Sequence, residues 1–404
     1  MACKCAWTRW GAEAVRRVPV IVLAVIVAVL GGCENMARNI DPRNWFSGGP
    51  TGPKPAELPV LTGQQTARQL WQASLGSAGP FIFSPAVVGD SVYAASRDGT
   101  VVRLALANGA PRWRISAGTP LSGGVGSDGK LVVVGTDKGE VIAMDAENGQ
   151  VRWRARVSSE VLAAPAVGEG LALVRSADSR IFAFGVEDGK RRWVYQRAAA
   201  ALVVRSPAGI VLLQGNAYAG FAGGKLVAIS LANGAARWEA TVSLPKGATE
   251  LERVTDIAGD PVVIGREICA AAFQGRVACY ELQAGTQLWA REISTLTGVR
   301  ADARYVYVSD DRGTLHAFDR TNGRTVWKQE RLSHRRLSLP LPLGAEVATG
   351  DYQGYVHFAA RESGAFVSRL ATDGGAILSA PVPIPGGMLV QTQNGGLFAL
   401  SGSQ

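Results

Sequence analysis

The run Gly124-Val125-Gly126-Ser127-Asp128-Gly129-Lys130 has the glycine spacing of a dinucleotide-binding turn and most of a phosphate-binding loop. In both motifs glycines let the backbone approach a phosphate, and the N-terminus of a following helix meets its charge. The next residues do not suit that chemistry. Leu131 stands where Ser or Thr is required, and LVVVG, a run of strand composition, replaces the helix. The segment also coincides with the first turn of a repeated unit, and it reads as a turn. The only histidines are His316, His334 and His357. His316 and His357 hold the same position in neighbouring repeats, so they do not form a Cys/His cluster with metal-ligand spacing. They read as core or edge side chains. No catalytic residues, metal ligands or cofactor are expected.

The elements that would position any site are marked by tryptophan. It recurs four residues after a turn glycine in LALANGAPRW, AMDAENGQVRW, FGVEDGKRRW, ISLANGAARW, YELQAGTQLW and FDRTNGRTVW. These are Trp113, Trp153, Trp193, Trp238, Trp289 and Trp327, spaced by 40, 40, 45, 51 and 38 residues. A degenerate copy, ARESGAFVS, puts Ser368 in the slot, and Trp71 stands 42 residues before Trp113. Periods of this length, with short strands and polar-glycine turns, predict an all-β fold, an eight-bladed β-propeller of four-stranded blades. The Trp lies on the fourth, outer strand. Six positions before each turn glycine stand Ala143, Ala183, Ala228, Cys279 and Ala317, small enough to seat the indole of a neighbouring blade; Arg103 and Phe358 are exceptions. The chain ends on a third strand, GGLFALSGSQ, whose missing partner is the orphan strand around Trp71. One blade is therefore expected from both termini, which closes the ring and removes an open edge.

The first residues lie outside that pattern. Lys4, Arg9, Arg16 and Arg17 precede an apolar run, Val18 to Leu30, of signal-peptide length and too short to span a bilayer comfortably. It ends in Leu30-Gly31-Gly32-Cys33, which resembles a bacterial lipobox, with Cys33 as the lipid attachment site. The expected organisation is a signal peptide over 1–32, lipid attachment and a flexible tether rich in Pro and Gly over 33–66, and the propeller over 67–404. Formal charge is +9; residues 1–32 carry four cations and one anion, leaving +6. That mild excess without basic blocks, in an exported chain, argues against nucleic acid. Cys269 and Cys279 flank a hairpin turn on adjacent strands, where an oxidising compartment permits a disulfide. The plainer reading takes Cys279 as the small residue of its repeat and Cys269 as an apolar strand residue.

The repeat resembles the quinoprotein Trp-docking repeat, which raises a periplasmic PQQ-dependent dehydrogenase or solute-binding propeller as an alternative. No vicinal Cys-Cys and no assembled Glu/Asn/Asp calcium set supports it. Extra length in repeat proteins usually marks binding loops on one face. The Trp193–Trp238 interval contains RAAAALVVRSPAG, and the Trp238–Trp289 interval contains SLPKGATELERVTDIAGDP. Both come after an outer strand and should emerge together. They combine apolar Leu202 and Val204 with Arg205 and a charged group, Glu250, Glu252, Arg253 and Asp256, which suits a protein partner.

With L-x-V-R-S in the first long loop, E-L-E-R-V-T-D-I in the second, L-S-H-R-R-L-S-L-P near Trp327, the lipobox and the eight repeats, the chain resembles the BamB family of outer-membrane lipoproteins. The resemblance implies a non-enzymatic scaffold of the β-barrel assembly (BAM) machinery, lipid-anchored on the periplasmic face of the outer membrane. The implied partners are a periplasmic POTRA domain of BamA, other BAM subunits and unfolded outer-membrane protein precursors. The implied BamA contacts are Leu202, Val204, Arg205 and Asp256. The family pattern often has a second acid two residues after this Asp; here that place is Ala258, with Asp260 two further on.

Overall fold

Short β-branched and alanine-rich runs, broken every five or six residues by polar-glycine turns, fold into strands because each run can bury both faces between neighbouring sheets. The computed structural model describes residues 53–61, 67–198 and 202–402. The lipobox, with Cys33, and residues 34–52 lie outside the described residues. Eight four-stranded antiparallel sheets form the predicted propeller. In chain order, blades 1 to 7 cover residues 86–116, 123–156, 166–196, 210–241, 257–292, 300–329 and 341–371. Blade 8 takes three strands from residues 382–401 and its outer strand, Arg68–Ser74, from the start of the fold. That outer strand pairs antiparallel with Gly396–Ser401, Trp71 opposite Ala399, so the ring closes as expected.

The core lies between blades. Tyr93 and Val101 of blade 1, for example, pack with Val132, Val134 and Ile142 of blade 2. The tryptophans join the blades by one rule. Trp153 lies on Gly189 of the next blade, where a Cβ would fall 2.6 Å from the indole, and its Nε1 donates to the Val186 carbonyl at 2.8 Å. Gly189 is thus required for contact as well as for its φ of 64°. Trp71, Trp113, Trp193, Trp238, Trp289 and Trp327 repeat both contacts on the following blade.

This corrects the expectation for the small residues. Ala143 and its equivalents stand directly across the sheet from the Trp of their own blade, and the seat for a neighbour's indole is the turn glycine. The two exceptions are explained separately. Arg103, opposite Trp113, donates to Ser91 Oγ at 3.0 Å and pairs with Glu147 of blade 2 at 2.7 Å, so that joint carries an ion pair. Phe358 is opposite Ser368, where the large residue has changed sides. The eighth joint has no third-to-fourth strand turn, because blade 8 is interrupted there by the chain termini. An indole at Ser368 would find no equivalent of that turn glycine. Instead Ser368 Oγ accepts a hydrogen bond from Ala67 N at 3.4 Å.

Other sequence readings resolve within this frame. Gly123–Ser127 is the inner strand of blade 2, ending in a turn. A Cβ at Gly126 would meet the Pro165 carbonyl at 1.9 Å, so glycine is needed there for packing near the axis. His316 Nε2 lies 3.0 Å from Asp310 Oδ2, and His357 Nε2 lies 2.9 Å from Asp351 Oδ2, the same hairpin contact in blades 6 and 7. No group of His, Cys, Asp and Glu among the described residues could hold a metal ion. Cys269 and Cys279 are cross-strand partners joined by a disulfide, which corrects the plainer reading, although Cys279 is also the small residue opposite Trp289. Ala56 N donates to Ser333 O, and Ala56 and Pro59 carbonyls accept from Arg335 and Arg369. Residues 55–61 thus bond to blade 7 and the connection before it.

Candidate protein-docking face

Antiparallel order within each blade puts all blade-to-blade connections, and every second-to-third strand turn, on one face of the ring. First strands of neighbouring blades lie together and line the axis. Both long insertions therefore emerge on this face, in adjacent joints. The first, between blades 3 and 4, presents Leu202 and Val203 at 48% and 42% exposure. The second, between blades 4 and 5, presents Leu244 and Leu251, the latter 71% exposed. Leu296 lies in the next joint, also exposed. Five large apolar side chains thus face solvent in three consecutive connections.

Arg205 stands among them with its side chain 63% exposed, and its Nη2 pairs with Glu160 from the connection between blades 2 and 3. Val204, expected as an apolar contact, is half-buried, and its neighbour Val203 takes the solvent-facing place. Asp256 is 5% exposed. Its Oδ2 accepts from Val204 N at 2.5 Å and its Oδ1 from Gly223 N at 3.3 Å. It clamps the first loop to the second insertion from beneath. Asp260 adds another clamp, its Oδ1 accepting from Gly209 N at 2.6 Å, while Ala258 is a buried strand residue.

The charges explain how a carboxylate can be buried here. Burial raises the Asp256 pKa, and the two backbone N–H groups and Arg175 offset only part of that effect. Burial likewise pulls Arg175 down to about 10, against the pull of Asp256 and Asp260. Arg175 donates to Gly220 O and, at 3.4 Å, to Ala208 O, and lies 5.1 Å from the Phe221 ring centroid. One cation from blade 3 and two anions from the start of blade 5 thus fix the backbone on both sides of Arg205. In the second loop Glu252 is spent locally, accepting from Ala248 N and Thr249 N, and Glu250 pairs with Arg253 at 3.8 Å. Of the acidic residues singled out in the sequence, Asp256 and Glu252 hold loops in shape.

Residues 97–329 match the family model described as outer membrane protein assembly factor BamB. A curated relative bearing that description, from Bordetella pertussis, is 44% identical over 85% of this chain and 89% of its own length. The chain belongs to the BamB family. The crystal structure of BamB from Moraxella catarrhalis superposes with a TM-score of 0.78 at 28% identity, covering 83% of this chain and 99% of that one. A quinohemoprotein alcohol dehydrogenase from Comamonas testosteroni matches with a TM-score of 0.65 at 14% identity, over 83% of this chain and 76% of its own. That likeness shows the shared propeller alone.

Sequence reasoning missed Glu160, Arg175 and Val203. Glu160 and Arg175 belong to other blades, and no local pattern links them to the long loops. Val203 escapes such reasoning because a loop has no period from which to read which of two adjacent valines faces outward.

Proposed function

We propose that the protein is a non-enzymatic scaffold lipoprotein of the outer-membrane assembly machinery, tethered through Cys33 to the periplasmic face of the outer membrane. It docks a periplasmic POTRA domain of BamA and assists delivery, folding and insertion of β-barrel outer-membrane proteins. The observation that carries this reading is the patch of Leu202, Val203, Leu244, Leu251 and Leu296 beside Arg205, on loops held from below by buried charges. An exposed apolar group beside an arginine, on a preorganised backbone, has the makeup of a protein-binding hot spot. Arg205 and Leu202 contact the partner, while Val204 and Asp256 hold the loop that presents them.

The test is binding of the lipid-free domain to purified BamA periplasmic domains. Arg205→Ala should weaken binding roughly 10- to 100-fold. Its melting temperature should stay near wild type, since an exposed ion pair adds little stability. Arg324→Ala, on the opposite face, should bind normally, and pyrroloquinoline quinone with calcium should not bind saturably. Cys33→Ser should release the protein from membranes. Wild-type affinity in an Arg205→Ala, Leu202→Ala double variant would remove this interface from consideration.

A further inference from the structure

On the side wall of the ring, an open groove of about 610 Å³ runs between the outer strands of blades 2 and 3. It shares no residue with the docking patch. Its floor is apolar: Val157 and Phe182 are buried, and Val194 stands 36% exposed beside them. Its cations are Arg156, Arg180 and Arg191, and no carboxylate lines it. Arg180 is already paired with Asp178 at 2.9 Å, and Asp178 also accepts from Ser158 Oγ at 2.6 Å. Arg156 and Arg191 are exposed, and their guanidinium groups have no hydrogen bond or ion pair among the described residues. That sets them apart from their neighbours. Of the seven arginines on the outer strands of blades 1 to 3, Arg112, Arg152, Arg154 and Arg192 pair with carboxylates and Arg114 donates to the Leu75 carbonyl. The two left over line this one groove.

The groove is elongated. In blade 3, Arg180 is opposite Gln196, Phe182 opposite Val194 and Phe184 opposite Arg191. Phe182 and Phe184 pack with Trp153 and Val157 of blade 2, so this side of the sheet looks into the groove. From Arg191 to Gln196 the strand covers roughly 15 Å. Arg191 therefore stands at one end and Arg180 at the other, with the apolar floor between them. Ser158 bonds Asp178, the partner of Arg180, which puts Arg156 near the Arg180 end.

We propose that this groove docks an extended polypeptide segment that carries an acidic side chain on either side of an apolar one. In an extended chain the side chains at i, i+2 and i+4 share a face and span roughly 13 Å. That length matches the separation of the two free cations. One carboxylate meets Arg191, the apolar side chain covers Phe182 and Val194, and the second carboxylate meets Arg156, each through the planar fork of a guanidinium. An anionic bilayer is the poorer match, because it presents its charge as a plane and cannot reach a recessed apolar floor. The proposal goes beyond BamA docking and does not rest on it.

Titration calorimetry on the lipid-free domain at low ionic strength tests it with the peptide N-acetyl-Glu-Ser-Leu-Ser-Glu amide. Three comparison probes are its Gln-for-Glu counterpart, the isomer Glu-Glu-Ser-Leu-Ser with adjacent acids, and phosphatidylglycerol vesicles. The first peptide should bind saturably and weaken as salt is raised. The Gln counterpart should bind about 3- to 20-fold more weakly, and the adjacent-acid isomer about 2- to 5-fold more weakly. Arg156→Ala and Arg191→Ala should each cost about 2- to 5-fold, and the double variant about 3- to 20-fold. All three should melt as wild type, because both side chains are exposed and unpaired. Arg237→Ala, which removes an exposed cation from the outer strand of blade 4, should bind the peptide normally. No saturable binding, equal affinity for either comparison peptide, or wild-type affinity in the double variant would overturn the proposal. So would an equal loss in Arg237→Ala, or vesicle binding that needs Arg156 and Arg191 while the peptide does not bind. Loss of BamA binding in Arg205→Ala, or its retention, leaves these outcomes unchanged.

Discussion

Replacing Asp256 by Ala separates a residue that shapes a loop from one that touches a partner. The change removes two backbone bonds, at 2.5 Å to Val204 N and 3.3 Å to Gly223 N. A bond to a charged acceptor contributes about 1.5–3 kcal/mol, the longer of the two less. Burial has already raised the Asp256 pKa, so losing the charge returns part of that sum. The net loss is about 2–3 kcal/mol, or roughly 5 °C in a domain of this size. Freed at Val204 but still held at Gly209, the loop must be reordered on docking, at about 0.5–1.5 kcal/mol for each of Leu202, Val203 and Arg205. BamA affinity should therefore fall at least about tenfold and up to roughly 1000-fold. Amide hydrogen exchange at Val204, a melting curve and a binding isotherm on one sample make the assay. Val204 exchange and melting like wild type, together with lost binding, would refute the clamp and make Asp256 itself a contact. Asp256→Asn keeps one acceptor and should fall between. Because the folded pKa of Asp256 is raised, its favourable contribution is full below about 3.9 and is lost as pH rises through the folded value. The wild-type melting temperature should accordingly gain on that of Asp256→Asn as the solution is acidified.

Deleting residues 68–74 should open the ring by baring the Gly396–Ser401 edge and emptying the seat on Gly109; deleting 34–52 should leave the melting temperature unchanged, and equal melting of the two would contradict closure. Ser368→Trp restores the repeat's consensus yet should destabilise by about 1–3 kcal/mol in denaturant titration, since Phe358 fills the opposite position and blade 8 has no turn glycine to receive the ring. At Asp351, burial would raise the carboxyl, but hydrogen bonds from His357, Tyr355 N and Arg335 hold it below the usual range. Its stabilisation is therefore present above about 3.9 and lost as pH falls through the lowered value, and Asp351→Asn should flatten the acid limb of the stability curve.

The fold was legible because the repeat writes one joint many times. A glycine that must take positive φ, and an aromatic four residues on, leave a spaced mark that needs no long-range information, and eight such slots with an unpaired strand at each end imply closure. Loop length also placed both long insertions on one face, since antiparallel strand order alone decides where insertions emerge. The sequence misassigned the seat of the indole, because the turn glycine and the small strand residue are both small and both recur at fixed distance from the Trp; only the lateral packing of blades distinguishes them. Nor was it evident that Ser368 answers to the chain break, or that Cys269 and Cys279 are bonded.

At the site the division is similar. Arg205 and Leu202 stand exposed in a loop whose length and composition already marked it. Asp256 looked like a surface charge in a polar stretch, yet three blades enclose it with Arg175 and Asp260. Local spacing determined the architecture, the ring's closure and the face on which the long loops emerge. Which charges are buried and which valine faces water were decided by tertiary structure, because burial arises from neighbours 30 to 100 residues away that no local pattern connects.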